Sequence, residues 1–255
     1  MLATTWHSHS GTPVVFLHGF LGSQQDWQPV LSLLQNTIAI QPLTLDLAGH
    51  GQSQAISCHS FQQAREQLHF TLQQHLAEQT FYLVGYSLGG RLALDYALTT
   101  QNPYLKGILL EGANIGLISD EDKKARWQND CHWADRLSNE PLGNVLEDWY
   151  RQPVFANLSE SKRTDFIKKR LNNHGQALAQ MLKATSLATQ PYFSPEQRRQ
   201  FHGKMLFIIG EKDSKFRQMA EQHQLPYHQI ANAGHNTHCE NPSAFVKHLI
   251  QFISK

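Results

Sequence analysis

Three residues suited to proton transfer or nucleophilic attack occur in the chain order Ser87, Asp213, His235. A serine hydroxyl alone is a poor base and a poor nucleophile. A neutral imidazole within hydrogen-bond reach can take its proton. A carboxylate on the far side of that imidazole fixes its tautomer and stabilises its charged form. The order Ser, Asp, His matches a serine site built on a strand, a sharp turn and a helix.

Such a trio works only if the elements around it place it. Ser87 lies in FYLVGYSLGGRLALDYAL, from Phe81 to Leu98. Phe81 to Val84 read as a short buried strand. Leu88, Leu92, Ala93 and Tyr96 then recur at helical spacing. The chain must reverse between them, and Gly85 and Gly89 allow strand and helix to approach closely. The spacing therefore predicts a G-x-S-x-G nucleophile elbow with Ser87 on its corner. Asp213 follows LFIIGEK, just past a strand, and His235 lies in NAGHNTH, before a terminal helix. All three fall at the carboxyl ends of strands, where parallel sheets bind ligands. FLHGF follows an early strand, so the amides of Phe20 and Leu88 are expected to face one point as an oxyanion hole. One such donor is worth roughly 3–4 kcal/mol in a transition state.

Competing residues are present. Asp46 follows PLTL and is an alternative acid, although DLAGHGQS reads better as a loop shaped by Asp46, Gly49, His50 and Gly51 beside the site. His238, three residues from His235, is an alternative base. His18 is expected to shape the oxyanion loop, and His223 and His228 to be surface or packing residues. The histidines show no H-E-x-x-H pattern or close Cys/His cluster, so no metal is expected. A G-x-x-x-x-G-K-[ST] phosphate loop is also missing.

The bulk numbers bound the setting. The 255 residues are 40% hydrophobic and 17% charged, with a formal net charge of +1. This composition suits a globular α/β domain, and no global charge steers it toward nucleic acid or a membrane. The 3 cysteines are odd in number and widely spaced, which fits a reducing, cytoplasmic compartment. No signal peptide is visible in MLATTWHSHSGTP, and no membrane span is expected. A homo-oligomer stays open.

Strands are expected in TPVVFLHGF, TIAIQPLTL, FYLV, LKGILLEGA and GKMLFIIGEKD, with a helix over Phe61 to Gln79 and a terminal helix opened by Pro242. Strands alternating with helices predict a mostly parallel sheet with helices on both faces. From Asn114 to Phe201 no convincing strand occurs. That block, 114–201, reads as a helical lid inserted into a core of 1–113 and 202–255. It carries Trp127, Trp133 and Trp149, three of the 5 tryptophans, which packing of lid on core would explain. Its helices break near Asn172 to Gly175.

The segments HGF, DLAGHGQS, GYSLGG, GEKDSKF and NAGHNTHCENP resemble the α/β-hydrolase superfamily over nearly the whole chain. GYSLGGRLAL, EGANIGL, WYRQPVF, RLNNHG and MLKATSL narrow the resemblance to the 2-succinyl-6-hydroxy-2,4-cyclohexadiene-1-carboxylate synthases of menaquinone biosynthesis. The resemblance implies an α/β-hydrolase fold with an inserted helical lid. It implies a cofactor-free lyase that eliminates pyruvate from 2-succinyl-5-enolpyruvyl-6-hydroxy-3-cyclohexene-1-carboxylate, a small polyanion. It assigns Ser87, Asp213 and His235 as the triad, and Phe20 and Leu88 as oxyanion-hole positions. Tyr86 matches the aromatic residue beside the nucleophile, and Trp149 a pocket aromatic. Arg91, Arg126 and Arg170 match arginines that contact substrate carboxylates. Lys124 competes with Arg126, because SDEDKKA departs from the family pattern. Without the resemblance, the basic runs at Lys123–Lys124 and Lys168–Arg170 read as solvated faces. A carboxylesterase or thioesterase with the same triad, and a non-catalytic binding protein, are the alternatives.

Overall fold

The computed structural model describes residues 1–35 and 40–254. Its strands are β1 (Thr4–Trp6), β2 (Thr12–Leu17), β3 (Ile40–Leu45), β4 (Phe81–Tyr86), β5 (Leu105–Glu111), β6 (Lys204–Gly210) and β7 (Tyr227–Ile230). They form one sheet in the order β1-β3-β2-β4-β5-β6-β7. Only β1 pairs antiparallel; every other neighbour is parallel. Thr37 to Ala39, the start of the expected TIAIQPLTL strand, lie outside the described residues.

Side chains alternate across the sheet and divide between two cores. Val15, Leu17, Leu83, Ile108 and Leu110 enter one core. Val14, Phe16, Val84 and Leu109 enter the other. All six residues of β4 are buried, as a central strand covered on both faces requires. The helices α1 (Gln28–Leu34), α2 (Phe61–Leu76) and α3 (Leu88–Thr100) belong to the first half of the chain. Ser60 caps α2 by accepting a hydrogen bond from the Gln63 amide.

Between β5 and β6 run α4 (Asp120–Asn139), α5 (Leu142–Trp149), α6 (Glu160–Arg170), α7 (Gly175–Ala184) and α8 (Pro195–Arg199). No strand interrupts them among the described residues. Ser119 caps α4, and Asp120, Glu121 and Asp122 occupy its first turn, where carboxylates favour the helix dipole. The insertion has its own core of Trp133, Leu137, Leu146, Phe166, Leu178 and Leu182. Leu21 joins that core, and Phe20 packs on its margin, so the insertion rests on the loop after β2. The chain closes with α9 (Ser214–Gln222), α10 (Thr237–Glu240) and α11 (Pro242–Ser254). No described helix is long and apolar enough to cross a membrane.

Candidate active site

Ser87 links β4 to α3 with φ +50° and ψ −108°, a conformation that costs a non-glycine residue energy. The glycines around it leave no alternative packing. A Cβ on Gly85 would lie 2.5 Å from the Gly89 carbonyl carbon, and one on Gly89 would lie 2.3 Å from the Leu17 carbonyl oxygen. The sharp turn thus follows from three chain segments meeting at van der Waals contact. The Ser87 amide donates to the Glu111 carbonyl (2.8 Å), which ties the elbow to the end of β5.

Asp213 caps α9. Its Oδ1 accepts from the Phe216 amide (3.3 Å) and its Oδ2 from His235 Nδ1–H (2.8 Å). That bond leaves His235 Nε2 as the basic nitrogen. The two loops run in contact: a Cβ on Gly210 would lie 2.0 Å from the Gly234 carbonyl oxygen. Gly112, at φ +53°, lies flat against the imidazole, where a Cβ would meet His235 Cε1 at 2.5 Å. Phe216 and Tyr86 flank the same ring, with centroids 4.9 and 5.4 Å away. Ser87, Asp213 and His235 line one cavity of about 560 Å³, and no hydrogen bond joins Ser87 Oγ to His235 among the described residues. Such bonds often tighten only when a ligand arrives.

The competing residues have other partners. Asp46 Oδ1 accepts from the Gln24 amide (2.7 Å), and its Oδ2 accepts from the Gln52 amide (2.9 Å) and from Gln24 Nε2 (3.1 Å). It organises the loop beside the site. His238 Nδ1 donates to Glu111 Oε2 (2.7 Å), while the His238 amide (3.0 Å) and Thr237 Oγ1 (2.7 Å) donate to Glu111 Oε1. Burial opposes charge on His238, but its Cys239 and Glu111 neighbours raise its pKa well above the usual histidine value. Trp27 stacks on it at 4.3 Å. Glu111 thus holds the loop after His235 through its side chain and the elbow through its carbonyl, a role that the motif LLEGA alone does not reveal.

Two buried histidines set the loop that carries Phe20. His18 Nε2 accepts from the Leu47 amide (3.0 Å), and Nδ1–H donates to the Gly19 carbonyl (2.7 Å). His50 Nε2 accepts from the Leu21 amide (3.1 Å), and Nδ1–H donates to the Ala48 carbonyl (2.9 Å). Burial lowers their pKa values to about 4 and about 3, so both remain neutral acceptors near pH 7. Leu21 sits at φ +67° beside Phe20. Leu88 opens α3, where the first amides have no partner within the helix.

A narrower lobe of about 100 Å³ adjoins the elbow and is lined by Phe20, Ser87, Leu88, Arg91, Arg126 and Trp149, among others. Arg91 is buried. Its Nη1 donates to the Thr185 carbonyl (2.9 Å) and Gln190 Oε1 (3.2 Å), and Phe61 lies under the guanidinium. It forms no salt bridge among the described residues. Burial, and then the nearby Arg126 charge, lower its pKa to about 9, with Asp130 opposing. Arg126 binds Asp130 through Nε (2.8 and 2.9 Å) and lines both lobes. Lys124, its competitor, is exposed and lines neither lobe. Trp149 lies 5.2 Å from Phe20 and 5.0 Å from Trp133, between the insertion and the loop after β2. Tyr86 is buried beneath His235 and His238 and lines neither lobe.

Arg170 departs from the expected position. It is buried away from both lobes, with Nη1 and Nη2 donating to Asp26 Oδ1 (2.8 Å) and Oδ2 (2.7 Å), and Nε to the Tyr150 hydroxyl (3.3 Å). Burial would weaken its hold on its proton, but Asp26 and Tyr150 raise its pKa above the usual arginine value. Its guanidinium is therefore engaged by the protein's own carboxylate. Lys215, which sequence reasoning did not single out, lines both lobes. Its position two residues beyond Asp213, in the first turn of α9, was the available signal. Among the described residues no group of three or more ligating side chains is placed to hold a metal ion.

Comparison with known proteins agrees with this architecture. The family model of the α/β hydrolase fold matches residues 12–242. A 2-succinyl-6-hydroxy-2,4-cyclohexadiene-1-carboxylate synthase of Yersinia pseudotuberculosis is 44% identical over 249 residues, covering 98% of this chain and 90% of the relative. The same holds for a synthase of that name from Yersinia pestis. MenH from S. aureus superposes with a TM-score of 0.87 at 24% identity, covering 98% of this chain and 97% of its own. A malate-bound esterase from Thermogutta terrifontis superposes at 0.82 with 20% identity, covering 99% and 93%. The two solved structures speak for the fold, and the Yersinia relatives for the finer grouping: the chain belongs to the α/β-hydrolase fold family and, within it, to the 2-succinyl-6-hydroxy-2,4-cyclohexadiene-1-carboxylate synthases.

Proposed function

We infer that this protein is a carbon–oxygen lyase that releases pyruvate from 2-succinyl-5-enolpyruvyl-6-hydroxy-3-cyclohexene-1-carboxylate, giving 2-succinyl-6-hydroxy-2,4-cyclohexadiene-1-carboxylate. The reaction is a step of menaquinone biosynthesis. Within the site, the observation that carries this reading is the pair Arg91 and Arg126, two guanidiniums lining the lobe that also holds Ser87. Arg91 has no carboxylate partner among the described residues. A buried cation without a counter-ion is costly unless a ligand supplies one. A polyanion does so, whereas a neutral ester does not.

We propose the following roles. The ring C2–H is acidified by the adjacent succinyl ketone. Ser87 Oγ takes this proton as its own passes to His235 Nε2, and Asp213 stabilises the resulting imidazolium. The C2 electron pair forms C2=C3, the C3=C4 bond moves to C4=C5, and the C5–O bond breaks. The enolate of pyruvate leaves and takes at its methylene carbon the proton that His235 had accepted, directly or through water, which returns the imidazole to its neutral form. Charge that develops on the ketone oxygen meets the Phe20 and Leu88 amides. Arg91, Arg126 and Lys215 hold substrate carboxylates, and Trp149 closes the cavity over the ring. The insertion acts as a lid, and its aromatic contact with the oxyanion loop supports a site dried by closure.

The test is to supply the intermediate, made enzymatically, and to follow pyruvate and diene absorbance together. Equal rates and equal amounts are expected, with no requirement for added metal. Pyruvate release without diene, or preference for neutral esters, would overturn the reading in favour of an esterase.

A further inference from the structure

Arg170 ends α6 in the insertion, yet its partner Asp26 belongs to the short turn Gln24–Trp27 that follows the oxyanion loop. The pair is bidentate, at 2.8 and 2.7 Å, and both side chains are buried. Asp26 Oδ2 also accepts from the Ser23 amide (3.2 Å). Gly22 lies against that carboxylate so closely that a Cβ would stand 2.4 Å from Oδ2. Three residues after Arg170, Asn173 Nδ2 donates to the Leu21 carbonyl (2.8 Å). Leu21 is the left-handed residue next to Phe20. The insertion therefore grips segment 20–26 at two points, on either side of Gly22.

We propose that Arg170, Asp26 and Asn173 are positioning residues that hold the Phe20 amide in its productive place from the insertion, so that oxyanion stabilisation depends on the seating of the lid. The proposal rests on the reading that the Phe20 amide serves as an oxyanion donor. Arg170 then acts through Asp26 and the loop rather than by touching a substrate carboxylate. A bidentate fork suits this task, because it fixes orientation as well as distance. A loop amide displaced by as little as 1 Å is enough to cost a large part of the rate.

The test compares Arg170→Gln, Asp26→Asn, their double variant and Asn173→Ala in steady-state kinetics on the authentic intermediate, with thermal melts. Each single variant of the pair is expected to lower kcat by about 10–100-fold, with KM within about twofold of the parent. The double variant, a neutral amide pair, is expected to be no worse than the poorer single variant. Asn173→Ala, which leaves the ion pair intact, should lower kcat by about 3–10-fold at unchanged KM. A raised KM for Arg170→Gln alongside a near-native Asp26→Asn would make Arg170 a substrate ligand and overturn the proposal, as would additive losses or near-native kcat in both. If the pair variants do not fold, Asn173→Ala decides: near-native kcat overturns the proposal. A parent enzyme that releases no pyruvate from the intermediate would instead overturn the lyase reading itself.

Discussion

Arg91 and Arg126 face one cavity lobe from different parts of the chain, one on α3, which follows Ser87, and one on α4 of the insertion. Of the two, only Arg126 has a carboxylate partner among the described residues, Asp130, which is itself held by Ser186 Oγ at 2.7 Å. Arg91 is braced instead by neutral oxygens. The arrangement sets one buried guanidinium, without a salt bridge among the described residues, one turn beyond Ser87.

Removal of either guanidinium should therefore leave a substrate carboxylate unpaired. Arg91→Ala and Arg126→Ala are expected to lower kcat/KM by roughly 2–5 kcal/mol equivalent, with Arg91 the more damaging. Lysine should rescue neither fully, because the planar fork is lost. Lys215→Ala, at the more open side, should cost about 1 kcal/mol or less. Kinetics on the authentic intermediate, beside melting curves, separate binding from folding. Near-native efficiency in both arginine variants would refute the assignment.

Ser87→Ala, His235→Ala and Asp213→Asn should each depress kcat by about 10³–10⁴-fold with the fold intact. The Asp213→Asn variant is the sharper probe. It keeps the shape of the carboxylate but presents a donor or a weaker acceptor to His235 Nδ1, which disfavours the tautomer with a basic Nε2. Retention of more than about a tenth of parental kcat would show that the imidazole is not the proton acceptor.

The elbow was legible in the sequence because glycine spacing, an apolar strand and a helical stripe all converge between Phe81 and Leu98. The strands β2, β4, β5 and β6 were legible as apolar runs. The edge strands β1 and β7 were not: TTW and YHQI offer no buried run, since each has only one covered neighbour. The helix α9 had no expectation attached to it, because SKFRQMAEQ is mostly polar and shows only Phe216 and Ala220 as buried positions. The links Arg170–Asp26 and His238–Glu111 join residues 144 and 127 positions apart. No local pattern encodes such pairs, and KKR in particular reads as a solvated face until its last residue is found buried against a carboxylate.

The loop that carries Phe20 has an acid limit built into it. His18 and His50 titrate at about 4 and about 3 in the native state, lowered chiefly by burial, and near 6.5 when unfolded. Between those values the unfolded chain binds more protons, so stability falls as pH falls. His238 has the opposite shift, and its contribution is already complete below its unfolded pKa. It therefore does not offset the loss in this window. Denaturant unfolding from pH 6.5 to 4.5 should show a slope that approaches two protons, about 2.7 kcal/mol per pH unit at its steepest. His50→Gln should remove about half of it. An unchanged slope in that variant would contradict neutral His50.

A product analogue at saturating concentration should slow amide hydrogen exchange in α5 and α7 and in the turn carrying Thr185, which accepts from Arg91. Protection in the central strand β4 should stay the same. Equal exchange throughout the insertion with and without ligand would count against a closing lid.

The most direct measurement is mass spectrometry of the intact enzyme, quenched during turnover of 2-succinyl-5-enolpyruvyl-6-hydroxy-3-cyclohexene-1-carboxylate, with pyruvate and diene quantified in the same samples. Proton transfer through Ser87 predicts pyruvate and diene in equal amounts from the first turnover and a protein of unmodified mass throughout. A stoichiometric acyl adduct on Ser87 that forms and decays at the rate of turnover, or pyruvate without diene, would contradict it.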